Sequence, residues 1–313
     1  MITFDWKGVF PAVTTKFTDN DELDFDAFDV NLNAQLEAGV DGFILGGSLG
    51  EASVLSDDEK FALLKHTIDF VAGKVPVILN IAEQTTKAAV ACAQRAFDTG
   101  ADALMLLPPM RYNSEERETL AFIGAVAEST KLPIMIYNNP VDYKIEVTLD
   151  MFEKLSVYDN IQAVKESTRN VSNVTKMINR FGNRFAILTG VDPLAMESLV
   201  MGADGWVAGL VDAFPKETVA IFRLVKAGRI AEALTIYRWF LPVLELDIHA
   251  KLVQYIKLAE VANGIGTENV RAPRLPLIGE ERTKVLKIIN DAIAVRPELP
   301  AGSWGKLAEV EAQ

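Results

Sequence analysis

The chain has 313 residues, 50% of them apolar, which allows one large barrel or two ordinary domains around a sizeable core. Its 31 Lys plus Arg against 43 Asp plus Glu leave a formal charge of −12, which repels phosphate backbones and anionic lipid and argues against nucleic acid or membrane as partners. A single cysteine, Cys92, excludes a disulfide framework, the leading segment carries Asp5 and Lys7 where a signal peptide would be apolar, and no run reaches about 18 apolar residues, so a cytoplasmic protein is expected.

Along the chain a rhythm repeats: a short apolar run, a turn or cap signal, then an amphipathic stretch of helical period. The first runs are GVFPAVTTKF at 8–17 and DGFILGGS at 41–48. After them SDDEKFALLKHTIDFVAG at 56–73 predicts a helix, with Ser56 and Glu59 forming a capping box and Gly73 near its end. VPVILNIAE at 75–83 and DALMLLPP at 102–109 are the next runs, alternating with helices expected over 85–100 and 114–130. LPIMIYNNP at 132–140, IQAVKES at 161–167, RFAILTGVD at 184–192 and DGWVAGLVD at 204–212 follow, with helices expected over 148–157, 171–182 and 193–202. Apolar runs without strict alternation suit strands buried on both faces of a parallel sheet. Eight such units in about 230 residues point to a closed (β/α)₈ TIM barrel occupying 1–228, although periodicity alone also allows an open doubly wound sheet.

After about Arg229 the strand signals stop, and RIAEALTIYRWFLPVLELDIHAKLVQYIKLAEVANGIG predicts two or more helices, with EERTKVLKIINDAIAV as the last. Residues 229–313 are therefore expected to form a C-terminal helical appendage on the barrel. Tyr237, Trp239 and Phe240 are expected to pack against the barrel or a partner subunit, and Cys92 to fill core space. The two histidines, His66 and His249, lie in amphipathic stretches without a second ligand nearby, so no metal site is expected.

In a barrel of this kind the chemistry sits where the strands end. GGSLGEAS after the second run brings Gly46, Gly47 and Gly50, which let backbone amides approach an anion such as a carboxylate. It fits neither a dinucleotide fingerprint nor a P-loop, and a plain tight turn is the alternative. YNNP places Tyr137 at the mouth, VKES places Lys165 after an apolar segment, and Gly205 and Gly209 flank Val207. A lysine there can simply pair with a carboxylate. Burial, however, favours a neutral amine that adds to a ketone, and the resulting iminium withdraws electrons from the neighbouring carbon. Tyr137 and Ser48 suit the proton transfers that this chemistry requires.

Together GGSLGE, YNNP and VKES resemble the N-acetylneuraminate lyase and dihydrodipicolinate synthase family of Schiff-base lyases, in order and spacing over essentially the whole chain. The resemblance implies a barrel enzyme without cofactor, a dimer or tetramer of identical subunits, and a 2-oxo acid substrate. It implies Lys165 as the Schiff-base lysine, Tyr137 as proton shuttle, and Ser48 as the counterpart of the first threonine of the family's GTTGE. Leu49 replaces the second threonine, so a carboxylate there must rely on amides around Gly47, Leu49 and Gly50. A backbone carbonyl near Val207 is implied to face the substrate.

Two departures bear on the substrate. Where the family's synthases carry an arginine for a distal carboxylate, this chain has Asp142, and where they carry an interface tyrosine pair it has Met110 and Arg111, with Tyr112 adjacent. The expected activity is thus deamination or dehydration of pyrroline-4-hydroxy-2-carboxylate or a related 2-keto-3-deoxy acid. Dihydrodipicolinate synthase-like condensation, sugar-acid aldol cleavage and simple 2-oxo acid binding remain as alternatives.

Overall fold

The computed structural model describes residues 4–305, so residues 306–313 of the expected C-terminal segment lie outside the described residues, as do 1–3. Eight strands alternate with helices: β1 (Gly8–Pro11), α1 (Phe25–Ala38), β2 (Phe43–Leu45), α2 (Asp57–Val71), β3 (Val77–Ile81), α3 (Thr86–Thr99), β4 (Ala103–Leu106) and α4 (Glu116–Ser129). The second half comprises β5 (Ile134–Asn138), the single turn α5 (Pro140–Tyr143), α6 (Leu149–Leu155), β6 (Ile161–Glu166), α7 (Ser172–Phe181), β7 (Ala186–Thr189), α8 (Ala195–Val200), β8 (Gly205–Ala208) and α9 (Pro215–Lys226). All strand pairs are parallel, β1 pairs with β8, and an Ala12–Ile44 bridge joins β1 to β2, so the sheet closes into a (β/α)₈ barrel.

The strands lie buried on both faces, which is why they read as unbroken apolar runs. Helix starts follow from local chemistry: Ser56 and Glu59 close the capping box of α2, and Asp24, Thr85 and Thr148 cap α1, α3 and α6. The aspartates opening DGF, DAL and DGW have a further task. Asp41, Asp102 and Asp204 each accept an amide from the first or second residue of a neighbouring strand, from Val9, Val77 and Ile187, at 2.8 Å. They satisfy donors that would otherwise be orphaned at the N-terminal rim of the barrel.

Beyond α9 come α10 (Ile230–Leu244), α11 (Leu252–Ala262) and α12 (Gly279–Ala294). Helix α11 is fastened to the barrel by two ion pairs with fully buried side chains, Lys16–Glu260 at 2.8 Å and Lys257–Glu51 at 2.5 Å. Burial outweighs Glu51's attraction and lowers the Lys257 ammonium to about 8. Trp239 and Phe240 stack at 5.4 Å, and Phe240 meets Phe214 at 5.1 Å, so the aromatic stripe is spent on packing within the chain. Cys92 is buried and its thiol pushed up to about 11 by desolvation. His66 meets Asp29 at 2.6 Å and His249 stacks on Tyr255. Among the described residues no group of three or more acidic, histidine or cysteine side chains could hold a metal, and no helix is long and apolar enough to cross a membrane.

Candidate active site

Strand register places Tyr137 on β5 directly beside Lys165 on β6. Both point into the barrel, each is 7% exposed, and the Lys165 Nζ lies 4.1 Å from the Tyr137 ring centroid. The alternation of a strand sends the next residue, Glu166, the other way, where its carboxylate accepts the Thr168 amide at 2.9 Å. Desolvation lowers the Lys165 ammonium below its usual 10.5 and outweighs the opposing pull of Asp247, Tyr143, Asp192 and Asp142. The shift is toward the neutral amine, the nucleophilic form.

Tyr137 lies deeper than a place at the mouth, and desolvation raises its phenol. Its oxygen accepts a hydrogen bond from Asn139 Nδ2 at 3.1 Å, and the same amide donates to Asp142 at 2.7 Å. The single turn α5 makes this possible: Asn139 caps it by accepting the Asp142 amide, and Pro140 at its first position supplies a preset φ. The turn also brings in Tyr143, whose ring meets Tyr137 edge-on at 5.7 Å and whose hydroxyl hydrogen-bonds Ser48. Ser48 therefore pairs with Tyr143, with Tyr137 lying beyond it.

A cavity of about 80 Å³ collects these groups, with Gly47, Ser48, Leu49, Asp142 and Val207 along its wall. Gly50 does not line it. A Cβ there would come within 2.8 Å of the Val13 carbonyl, so the glycine serves close packing under the loop. Gly46 takes a φ of 65°, and Asn80 holds its carbonyl at 2.8 Å. Arg111 and Tyr112 lie on an exposed turn after β4 and do not line the cavity of this chain.

Further residues line the cavity: Asn139 and Ser167 from within YNNP and VKES, and Tyr143, Arg169, Gly190 and Asp247, which no motif displayed. Asp192, wholly buried, accepts from Trp206 Nε1 at 2.9 Å and from the Leu210 amide at 2.7 Å, and so pins the turn after β8. Gly190 is required by Lys165 itself, since a Cβ there would fall 2.6 Å from the lysine's Cε and 2.3 Å from Ser167 Oγ. Gly190→Ala should displace the amine and lower kcat about a hundredfold, the scale of a misplaced reacting group. Steady-state kinetics of a folded variant check this, and unchanged kcat would show that the lysine can move aside.

The Dihydrodipicolinate synthetase family model matches residues 5–292. The chain is 32% identical to the 4-hydroxy-tetrahydrodipicolinate synthase of Methanocaldococcus jannaschii, over 90% of this chain and 96% of the relative. It superposes on a dihydrodipicolinate synthase from Bacillus anthracis with a TM-score of 0.88 at 28% identity, covering 92% of this chain and 99% of the other. A prophage protein of the same family from E. coli K12, solved in complex with pyruvate, gives 0.86 at 25% identity, over 92% and 99% of the two chains. The chain belongs to the dihydrodipicolinate synthetase family and is a lyase.

Proposed function

We propose that Lys165 forms a Schiff base with a 2-oxo acid, and that the preferred substrate carries a hydroxyl or amino group, and no carboxylate, at its far end. Pyrroline-4-hydroxy-2-carboxylate and 2-keto-3-deoxy acids fit this description, the first yielding a free amine once its ring opens. The observation that carries the reading is the pair of carboxylates on the cavity wall, Asp142 and Asp247, the first at the position where the resemblance implies an arginine in the synthases. A negative distal group brought against them is repelled in a partly desolvated site, whereas an ammonium or hydroxyl gains a polar or charge-assisted bond. The substrate's own carboxylate belongs at the GGSLGE loop, where the amides of Ser48 and Leu49 donate to no acceptor among the described residues. Tyr137 serves as the proton shuttle, and the enzyme works as a homo-oligomer in the cytoplasm without a cofactor.

Asp142→Asn should lower kcat/KM on pyrroline-4-hydroxy-2-carboxylate about ten- to a hundredfold, the worth of one hydrogen bond to a charged group. Asp142→Arg should do the same while improving, relative to wild type, condensation of pyruvate with aspartate semialdehyde. Unchanged kinetics on both substrates would remove Asp142 from recognition.

One observation favours a second reading. Arg169, exposed at the cavity rim, could receive a distal carboxylate in place of the missing arginine, as a 4-hydroxy-tetrahydrodipicolinate synthase requires. Faster wild-type condensation with the semialdehyde than turnover of the hydroxylated substrates, abolished by Arg169→Ala, would establish that reading instead.

A further inference from the structure

Resting on the Schiff-base reading above, we infer that Asp247, delivered to the cavity by the C-terminal helical segment, is the catalytic base and acid that moves the proton between C3 of the imine and the departing group at C4.

Helix α10 carries Pro242 in its last turn, gives way to a 3₁₀ turn at Glu245–Ile248, and so sets Asp247 over the end of the barrel. There Asp247 Oδ2 accepts the Asp192 amide at 3.3 Å, while Oδ1 lies against the face of Gly209, 2.6 Å from where a Cβ would stand. Gly190 and Asp192 follow β7, and Gly209 follows β8, whereas Tyr137 is on β5. An imine carbon on Lys165 of β6 is therefore flanked by Tyr137 on one side and Asp247 on the other.

Tyr137 serves the proton transfers that form and release the imine, and apart from Asp247 each other phenol or carboxylate of the cavity already meets a side chain. Tyr137 is bonded by Asn139, Tyr143 by Ser48 and Asp142 by Asn139. Asp247 is held by one long backbone contact, and among the described residues no lysine, arginine or histidine lies within ion-pair distance of it. Burial, and next to it the neighbouring Asp192, raise its carboxyl well above the ordinary aspartate range.

The step balances within the site. The Asp247 carboxylate removes the C3 proton, and the C–H electron pair becomes the C2–C3 double bond of an enamine as the iminium nitrogen is neutralised. The enamine pair then forms C3=C4 as the C4–O bond breaks. Asp247 returns its proton to the leaving oxygen, so water departs and the carboxylate and iminium are restored. No external acid, base or oxidant enters.

The first half of this sequence can be read with pyruvate alone, because its imine loses methyl protons that exchange with solvent. Wild type in D₂O should wash out the pyruvate methyl signal in proton NMR. Asp247→Asn should give the same borohydride-trapped pyruvate adduct as wild type but exchange about a hundredfold more slowly, with Asp247→Glu partly restoring the rate. Asp247→Ser, with added formate replacing the missing carboxylate, should recover exchange, and it decides the matter if the asparagine variant does not fold. Normal trapping with exchange within about twofold of wild type in Asp247→Asn, or no formate rescue in the serine variant, would overturn the assignment of Asp247 alone. Failure of wild type to trap pyruvate would overturn the Schiff-base reading beneath it.

Discussion

Lys165→Arg should lose turnover on every substrate, by a factor on the order of 10⁴ or more, the scale seen when a covalent nucleophile is removed. A guanidinium stays protonated across the accessible pH range and cannot present a lone pair to a ketone, although it keeps the positive charge. A merely electrostatic lysine, pairing with the substrate carboxylate, would tolerate this exchange far better. The wild-type pH profile offers a second reading of the same residue. The neutral amine is the reactive form, so adduct formation should rise with pH and level off once the lowered Lys165 pKa is passed, below the usual 10.5. A rate that climbs without levelling to 10.5 would mean that burial does not activate the amine. Single-turnover trapping across pH, with thermal unfolding as a check on the fold, measures both.

Tyr137→Phe should cost about a hundred- to ten-thousandfold in kcat with little change in KM, as removal of a general acid–base group does. The ring still packs beside Lys165 in this variant, since the contact at 4.1 Å is with its face, so the amine keeps its place. What is lost is the hydroxyl that Asn139 orients at 3.1 Å. Tyr143→Phe is the informative comparison. Tyr143 bonds Ser48 and has no hydrogen bond to Tyr137, so its removal tests whether the proton route runs through the tyrosine that Ser48 touches. A larger loss for Tyr143→Phe than for Tyr137→Phe would reassign the shuttle.

The barrel was legible because strands buried on both faces cannot alternate, and runs such as ILNI and IMIY stand out against capped amphipathic helices. Ser56 and Glu59 gave the start of α2 for the same local reason that they cap it. Helix ends agreed to within a residue or two, as at 114–130 against Glu116–Ser129, and the expected helix over 193–202 begins as a 3₁₀ turn at Asp192–Leu194. In the site, residues at strand ends could be picked out because a barrel points them at one mouth. Residues supplied by turns and by the distant segment could not. Tyr143 depends on α5 turning at Asn139 and Pro140, a geometry that YNNPVDY allows but does not impose. Asp247 reads as one acidic residue among several on a helical face. The proline at 242 was the available sign that the helix ends there and that the following residues leave its face. Gly190 and Gly209 owe their importance to side chains from other elements, which no local pattern displays.

Imine formation at Lys165 leaves a covalent mark once it is reduced. Wild-type protein incubated with pyruvate, reduced with borohydride and digested should show one added reduced pyruvate per chain, on the peptide containing Lys165, by mass spectrometry. An adduct on another lysine, or none under conditions where the enzyme turns over its substrate, would contradict the assignment of Lys165 as the Schiff-base residue.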